Sequence, residues 1–502
     1  MSSKSKRQSK GQDRISGLPD EVLWHILSLL PTKYVVRTCI LSTRWKNTWA
    51  SVPYLDFDLG ERGDFRSAAE LLTFVDHVLF FRYSSNIQKF RLLLRYHVIE
   101  HSRIIGWIHT AVRRNVVELD LLVDIGLLQS GILELPKCLF MSKTLRILKL
   151  TSNFIINIPK SGCLPSLKFL HVRFHYLVHD SMFKLFSSFP VLEDLTIDGC
   201  LGPRVSYNFE VAAPALKTLT ICYYTGEAGY NILIKCPKLE NLYLRGNVVS
   251  NYNLGKVESL VKASIGLLHH CSDEDPGFSS VTALVAEVSN VEYLCLSAHC
   301  FEVAQLPAFK NLRQLKLVLL DCFCWELLNE LLKRSPILES LVLEREISHC
   351  IEKESEHEEG SEHEDESESE SEEGSEDSES EEGSEDKEDS ESEEGYEHEE
   401  GLENEEISKN EEGSEDEEGS EHWNPPESVP ICCLSHLKFV SFRGFAGQRN
   451  EMEMAKYLLK CGEVLTKMTI AIYNLDLNGK AKLYKEFLLV PRGSRTCIVE
   501  FI

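Results

Sequence analysis

Between Leu145 and Leu343 the chain repeats one phrase of seven residues that, counted from its leading apolar residue, is apolar at the first, fourth and sixth positions and mostly polar elsewhere. It reads TLRILKL (Leu145, Leu148, Leu150), SLKFLHV (Leu167, Leu170, Val172), VLEDLTI (Leu192, Leu195, Ile197), ALKTLTI (Leu216, Leu219, Ile221), KLENLYL (Leu239, Leu242, Leu244), NVEYLCL (Val291, Leu294, Leu296), NLRQLKL (Leu312, Leu315, Leu317) and ILESLVL (Leu338, Leu341, Leu343). The leading residues are 22, 25, 24, 23, 52, 21 and 26 apart, and SLVKASI, with Leu260, Ala263 and Ile265, is a degraded copy that fills the double step. Alternation is the period of a strand with one face inward and one outward. A strand this short cannot bury its own apolar face, so each unit must stack on the next. Pro165, Pro190, Pro214, Pro237 and Pro336 each stand two residues before a leading position, where the missing N–H is tolerated at the entry to a strand. The segment WELLNELLKRSP at 325–336 shows the outer half of one unit as a helix with Leu327, Leu328, Leu331 and Leu332 inward. Eight or more such strands make a curved sheet on the order of 40 Å long.

Residues 13–52 follow a different period. Pro19 suits the first position of a helix, and Asp20 and Glu21 set negative charge against its positive end. Leu23, Ile26, Leu27 and Leu30 form a stripe at i, i+3, i+4 and i+7, which Pro31 closes. Thr32 is placed to cap a second helix over Val35, Val36 and Ile40, and Ser42 or Thr43 a third with Trp45 and Trp49 on one face. Three helices in about 40 residues bury little apolar surface by themselves. Two readings of Trp24, Trp45 and Trp49 follow: anchors for a partner, or the core of an ordinary small bundle.

The stretch between these patterns is expected to be a bridge. Its clearest parts are a helical stripe (Trp107, Ile108, Ala111, Val112) and an alternating run (Val117, Leu119, Leu121) where the repeats are expected to begin. Loops at 198–214, 222–236 and 266–290 are expected to crowd one rim, where partner contacts are most plausible. Near the C-terminal end of the sequence, Leu437, Val440 and Phe442 return to the repeat phrase. A helix over Glu451–Lys460 with Met454, Tyr457 and Leu458 inward is expected next, then a strand and the closing PRGSRTCIVEFI. Arg492 and Arg495 there read as surface or strand-end charges with no chemistry assigned.

Charge changes the picture in one place. The net charge is -26, yet residues 352–421 hold 38 acidic residues and 3 lysines, leaving the remainder near +9. Built from Ser-Glu and Glu-Glu-Gly units, that segment cannot offset the entropy of ordering and is expected to be disordered. It reads as an expanded surface loop, a hold for a basic partner, or a target of an acid-directed kinase at serines such as Ser367, Ser378 and Ser414. His357, His363, His398 and His422 among its carboxylates have no fixed geometry for a metal. The tail MSSKSKRQSKGQ lacks the apolar core of a secretory signal, and no apolar run reaches membrane-spanning length. A cytoplasmic and/or nuclear location with the 16 cysteines reduced is therefore expected. Lys4, Lys6, Arg7 and Lys10 read as a solvated tail or a weak nuclear import signal. Cys322 with Cys324 and Cys432 with Cys433 lack a matching second pair at zinc spacing, so buried small hydrophobes is the expected role. No phosphate loop, nucleophile elbow or kinase signature occurs.

Several of these segments resemble known modules. Leu18-Pro19-Asp20-Glu21, Ile26-Leu27-x-x-Leu30-Pro31, Val35-Val36-Arg37-Thr38 and Leu41-Ser42-x-Arg44-Trp45 together resemble a plant-type F-box. The phrase and its period are the leucine-rich-repeat signature, and the stretch from Leu434 to Phe501 resembles the FBD module that ends many plant F-box proteins. By resemblance the chain is identified as a member of the plant F-box/FBD/leucine-rich-repeat family. That implies an α/β repeat fold: an F-box at 13–59, a lead-in at 60–122 and repeats with a parallel sheet and outer helices or turns at 123–350. A disordered acidic insert at 351–429 and an FBD-like cap at 430–502 follow, after a disordered basic tail at 1–12. The resemblance also implies a non-catalytic substrate-recognition subunit of an SCF-type ubiquitin ligase, without cofactor or metal. Its F-box would dock on a Skp-type adaptor, and through it on cullin and RING subunits. Leu18, Pro19, Ile26, Leu27, Leu30, Val36, Leu41 and Trp45 would form or support that interface, and the repeats would hold a protein substrate. Two other readings stay open at this point: a repeat scaffold acting outside any ligase, and a chaperone of basic proteins working through the acidic tract. Nucleic acid is disfavoured, because a segment of charge -35 repels phosphate.

Overall fold

The computed structural model describes residues 15–58, residues 67–345 apart from several inter-strand connections, and residues 423–502. The basic tail and the acidic insert up to residue 422 lie outside the described residues. Each repeat phrase forms a strand of one sheet of fifteen parallel strands. In chain order these are β1 (Tyr54–Asp58), β2 (Lys89–Arg95), β3 (Glu118–Asp124), β4 (Ile147–Thr151) and β5 (Phe169–Phe174). The middle holds β6 (Asp194–Cys200), β7 (Thr218–Tyr224), β8 (Asn241–Asn247), β9 (Lys262–Leu268) and β10 (Tyr293–Ser297). The far end is built from β11 (Gln314–Leu319), β12 (Ser340–Arg345), β13 (Phe439–Phe445), β14 (Lys467–Ile472) and β15 (Ile498–Phe501). Every strand pairs with its predecessor and successor, so sequence order is spatial order. The fourth phrase position sets the register: Leu148, Leu170, Leu195, Leu219, Leu242, Ala263, Leu294, Leu315 and Leu341 stand side by side and are buried. The degraded copy is a full strand, β9, with Ala263 and Ile265 in the core.

The sheet starts earlier than the repeat phrase suggests. Residues 60–122, expected as a lead-in, contribute β2 and β3, and β1 precedes them, all in the same ladder. The phrase is present there in disguise: Val52, Leu55 and Phe57, then Ile87, Phe90 and Leu92, then Val116, Leu119 and Leu121 hold its three apolar positions, all buried. Valine, isoleucine and phenylalanine replace leucine, and the units are lengthened by α4 (Ala68–Phe80) and α5 (His101–Arg113) on the outer side. Trp107 of α5 donates its indole N–H to Asp76 of α4 at 2.7 Å, tying the two outer helices together.

The outer layer changes in the middle of the array. Where loops are expected at 198–214 and 222–236, Tyr207–Val211 and Tyr230–Ile234 form a second, smaller parallel sheet with Asn251–Asn253. Val211, Ile232 and Ile234 from it are buried in the core shared with the main sheet. These units therefore stack strand on strand. In the last expected loop, 266–290, β9 runs on to Leu268 and a helix occupies Phe278–Glu287, with Leu284 and Val285 buried. The helix at Trp325–Arg334 buries Leu327, Leu328, Leu331 and Leu332 as the stripe predicts.

β12 and β13 pair directly, Ser340 opposite Phe439, so the array continues across the acidic insert. Trp423 fixes the returning chain: its ring packs edge-on against Tyr457 at 5.4 Å and its indole N–H reaches Asn329 at 3.3 Å. The helix expected at Glu451–Lys460 runs Arg449–Cys461, started by a capping box of Gln448 and Glu451. Met454 and Leu458 are buried and Tyr457 is half-buried. A further helix, Leu477–Leu489, precedes β15, with Asp476 capping it through Gly479 N–H at 2.6 Å. Gly199 takes φ +140° where a Cβ would lie 1.9 Å from the Phe174 carbonyl oxygen, so only glycine lets β5 and β6 approach this closely. The described cysteines are free, and Cys236, Cys432, Cys433 and Cys497 are buried.

Candidate functional site

The helical domain at the start of the array consists of α1 (Asp20–Leu27), α2 (Thr32–Arg37) and α3 (Trp45–Thr48), joined by short 3-10 turns. Prolines rather than polar caps open the first two helices, with Pro19 and Pro31 as the residues before α1 and α2. Thr32, expected as a cap, is the first residue of α2 instead. Its buried hydroxyl accepts the Asp56 N–H at 2.7 Å. The expected Ser42 or Thr43 cap of α3 is not used, since Arg44 precedes that helix. The Arg44 guanidinium collects the Ser16 and Leu18 carbonyls and the Asp20 carboxylate, and the Trp45 indole N–H reaches the Ser16 hydroxyl at 2.9 Å. The Leu18-Pro19 segment is thereby pinned against α3.

The domain's own core is small: Leu23, Leu27, Val35, Trp45 and Val52, with Leu18, Trp24 and Trp49 partly buried against them. This divides the eight sequence-derived positions. Leu27 and Trp45 are 1 % and 5 % exposed and act from inside, holding the domain together rather than offering surface. Val36 is half-buried and packs on the core of the array. Leu18 is half-buried, while Pro19, Ile26, Leu30 and Leu41 are exposed. Of the three tryptophans Trp45 is a core residue, while Trp24 and Trp49 are partly buried against that core.

The α1 stripe therefore splits. Leu23 and Leu27 point inward, and Ile26 and Leu30, one residue away on the helix surface, stay in solvent. Val22, Leu29 and Ile40 join them, with Leu29 75 % and Ile40 84 % exposed. Motif position did not single out Leu29 or Ile40. The available signal was that the region around α1 carries more apolar residues than one inward stripe can use. Isolated exposed leucines are ordinary, but so many on one 40-residue domain mark a surface awaiting cover.

The outward face of the main sheet is the second large surface. Its two ends are laced with ion pairs across strands. Arg91 lies between Asp56 and Asp120 at 3.3 and 3.6 Å, and Lys89 meets Glu118 at 2.8 Å. At the other end Glu344 takes Lys316 at 2.8 Å and Arg443 at 3.1 Å, which hold its carboxyl below the usual range against the cost of burial. Asp120 goes the other way, raised because burial outweighs its cationic neighbours Lys149, Arg91 and Lys89. Among the described residues no group of three His, Cys, Asp or Glu is placed to hold a metal ion, and no helix is long and apolar enough to cross a membrane.

A small helical domain with an uncovered apolar face, fixed to a long parallel solenoid, defines a protein-interaction adaptor. Comparison with known proteins gives the family. Residues 15–57 match the F-box domain model, residues 81–373 the At1g61320/AtMIF1 LRR domain model, and residues 424–470 the FBD model. The repeat match begins inside the stretch expected as a lead-in, in agreement with β2 and β3. The FBD match starts earlier and ends earlier than the span from Leu434 to Phe501. F-box/LRR-repeat protein At4g14103 of Arabidopsis thaliana is 33 % identical over 359 residues, covering 67 % of this chain and 92 % of that protein. F-box/FBD/LRR-repeat protein At5g22660 of the same plant is 30 % identical over 366 residues, covering 68 % and 74 %. The chain belongs to the plant F-box/FBD/LRR-repeat family.

Proposed function

We propose that this protein is the substrate-recognition subunit of an SCF-type ubiquitin ligase. Its F-box binds a Skp-type adaptor and its solenoid holds a protein destined for ubiquitination. The observation that carries the reading is that Ile26, Leu29, Leu30, Ile40 and Leu41 are all exposed on a domain whose own core needs only five buried residues. Full burial of a leucine or isoleucine is worth about 1.5–3 kcal/mol. Covering this face therefore supplies a large part of the free energy a stable complex requires. The role needs no nucleophile on this chain: its contribution is proximity, holding substrate lysines at high effective concentration near an activated ubiquitin carried by other subunits. The protein would act in the cytosol, the nucleus or both.

The test is capture of a purified Skp-type adaptor by the full chain, with recruitment of a cullin as a second readout. Leu30→Asp combined with Leu41→Asp is expected to weaken capture by about a hundredfold or more. The melting temperature should move far less than capture does, because Leu30 is 42 % and Leu41 64 % exposed and neither belongs to the domain's core. Unchanged capture by a folded variant would refute the interface, and adaptor capture without cullin recruitment would refute the ligase.

A further inference from the structure

The outward sheet face is not uniform, and its middle differs from both ends. From β6 to β9 the half-buried first and third register positions are Asp194 and Thr196, Thr218 and Thr220, Asn241 and Tyr243, Lys262 and Ser264. Hydroxyl and amide groups dominate, and two charges stand among them. Asp194 is half-buried, and its carboxylate has no ion-pair or hydrogen-bond partner among the described residues. The nearby lysines Lys168 and Lys217 are both taken by Glu193, at 2.6 and 3.2 Å. Burial pushes the Asp194 carboxyl up, the expected sign of a carboxylate left without compensation.

Lys262 is the cationic counterpart. Its ammonium lies between the rings of Tyr243 and Tyr293, 5.4 and 4.5 Å from their centroids, and meets no carboxylate among the described residues. Glu240 and Glu292, exposed one residue ahead of β8 and β10, form no ion pair with it. Arg173 and Asp198 nearby satisfy each other at 2.5 Å, and Arg245 already has a partner. Among the described residues, β6–β9 thus offer one anion and one held cation without an ion-pair partner on a hydrogen-bonding floor.

Their separation is set by the register. Asp194 stands opposite Thr218, Thr218 opposite Asn241, and Asn241 opposite Lys262. Three strand spacings make about 14 Å, which an extended chain covers in about four residues. Residues i and i+4 of an extended segment also point to the same side. We propose that β6–β9 are the substrate-contacting window of the sheet. Its occupant is an extended peptide crossing the strands, with a basic residue over Asp194 and an acidic residue four positions away over Lys262. This rests on the reading of the solenoid as the substrate-holding part.

The probe is a set of fluorescein-labelled Ser/Thr peptides carrying one Arg and one Glu at separations of two to six. They are titrated against the full chain by anisotropy at low salt. Affinity is expected to peak at a separation of four in either order, since the peptide can cross in either direction. Asp194→Asn and Lys262→Met should each lower that peak by about fivefold. Asp194→Lys should transfer the preference to a peptide with two Glu four apart, an outcome that loss of folding cannot mimic. No binding by the wild type, a response independent of separation, a peak elsewhere, or variants indistinguishable from wild type would overturn the proposal. Adaptor capture by the same preparations separates the two claims. Variants that lose the peptide preference while retaining the adaptor bear out the window, whereas a wild-type chain that keeps the preference without capturing the adaptor counts against the ligase reading alone.

Discussion

The F-box and the solenoid use the same apolar residue types to opposite ends. In the solenoid each apolar residue of the phrase meets an apolar residue of the next strand, so the phrase positions from β3 to β12 are consumed internally and the outward face is mixed, with many polar side chains. In the F-box five residues close the core and a larger number of large apolar side chains, among them Val22, Ile26, Leu29, Leu30, Ile40 and Leu41, remain outside. The lesson is that periodicity tells which positions share a face but not whether that face is covered by the same chain. Repetition supplies the cover in one region; a partner must supply it in the other.

That contrast can be broken by substitution. The largest effect is expected from Leu242→Ala, fully buried between Leu219 and Ala263. It should cost about 3 kcal/mol in denaturant unfolding, whereas Leu29→Ala in the F-box should stay within about 0.5 kcal/mol. Equal losses would show that the F-box face is packed. Next comes the junction. Thr32→Val keeps the shape but leaves the Asp56 N–H without its acceptor, for a loss of about 1–2 kcal/mol and faster proteolysis between the two regions.

A smaller effect concerns the cap. Burial raises the Glu451 carboxyl above its ordinary value, against the N–H groups of Gln448 and Ala446 that it accepts. A raised acid favours the folded state when protonated, so this contribution is present below the ordinary carboxylate range and is lost as pH rises through the raised value. The melting temperature of the wild type should therefore gain on that of Glu451→Gln as pH falls from neutral. A constant gap would contradict the assignment. Smallest of all, Lys316→Ala removes one of two cations on Glu344 and should change stability by under about 0.5 kcal/mol.

Much of this was legible in the sequence, for a physical reason. Leucine at three of seven positions is a signal only a stacked strand needs so regularly, and even the copy with Ala263 was readable. β1 and β2 were not, because Val52, Ile87, Phe57 and Phe90 do the same job with other shapes and the units around them are longer. The small outer sheet at 207–253 was hidden for a related reason: pairing with neighbours, not local alternation, makes those segments strands. In the F-box the motif positions were visible, but their division into inward Leu27 and Trp45 and outward Leu30 and Leu41 required the helices to be packed. The unpaired state of Asp194 and Lys262 was invisible, since it depends on Glu193 and on two tyrosines from other strands.

Val52 belongs both to the F-box core and to the first repeat phrase, and the Thr32 hydroxyl occupies the N–H edge that β1 would otherwise present to solvent. The two regions are thus parts of one continuous unit. Eight strand steps separate β1 from β9, roughly 38 Å along the sheet. Adding or deleting one repeat would shift a load carried there by about 4.8 Å relative to the helices. On the function proposed above, repeat number then works as a vernier, grading how far a substrate is held from the F-box.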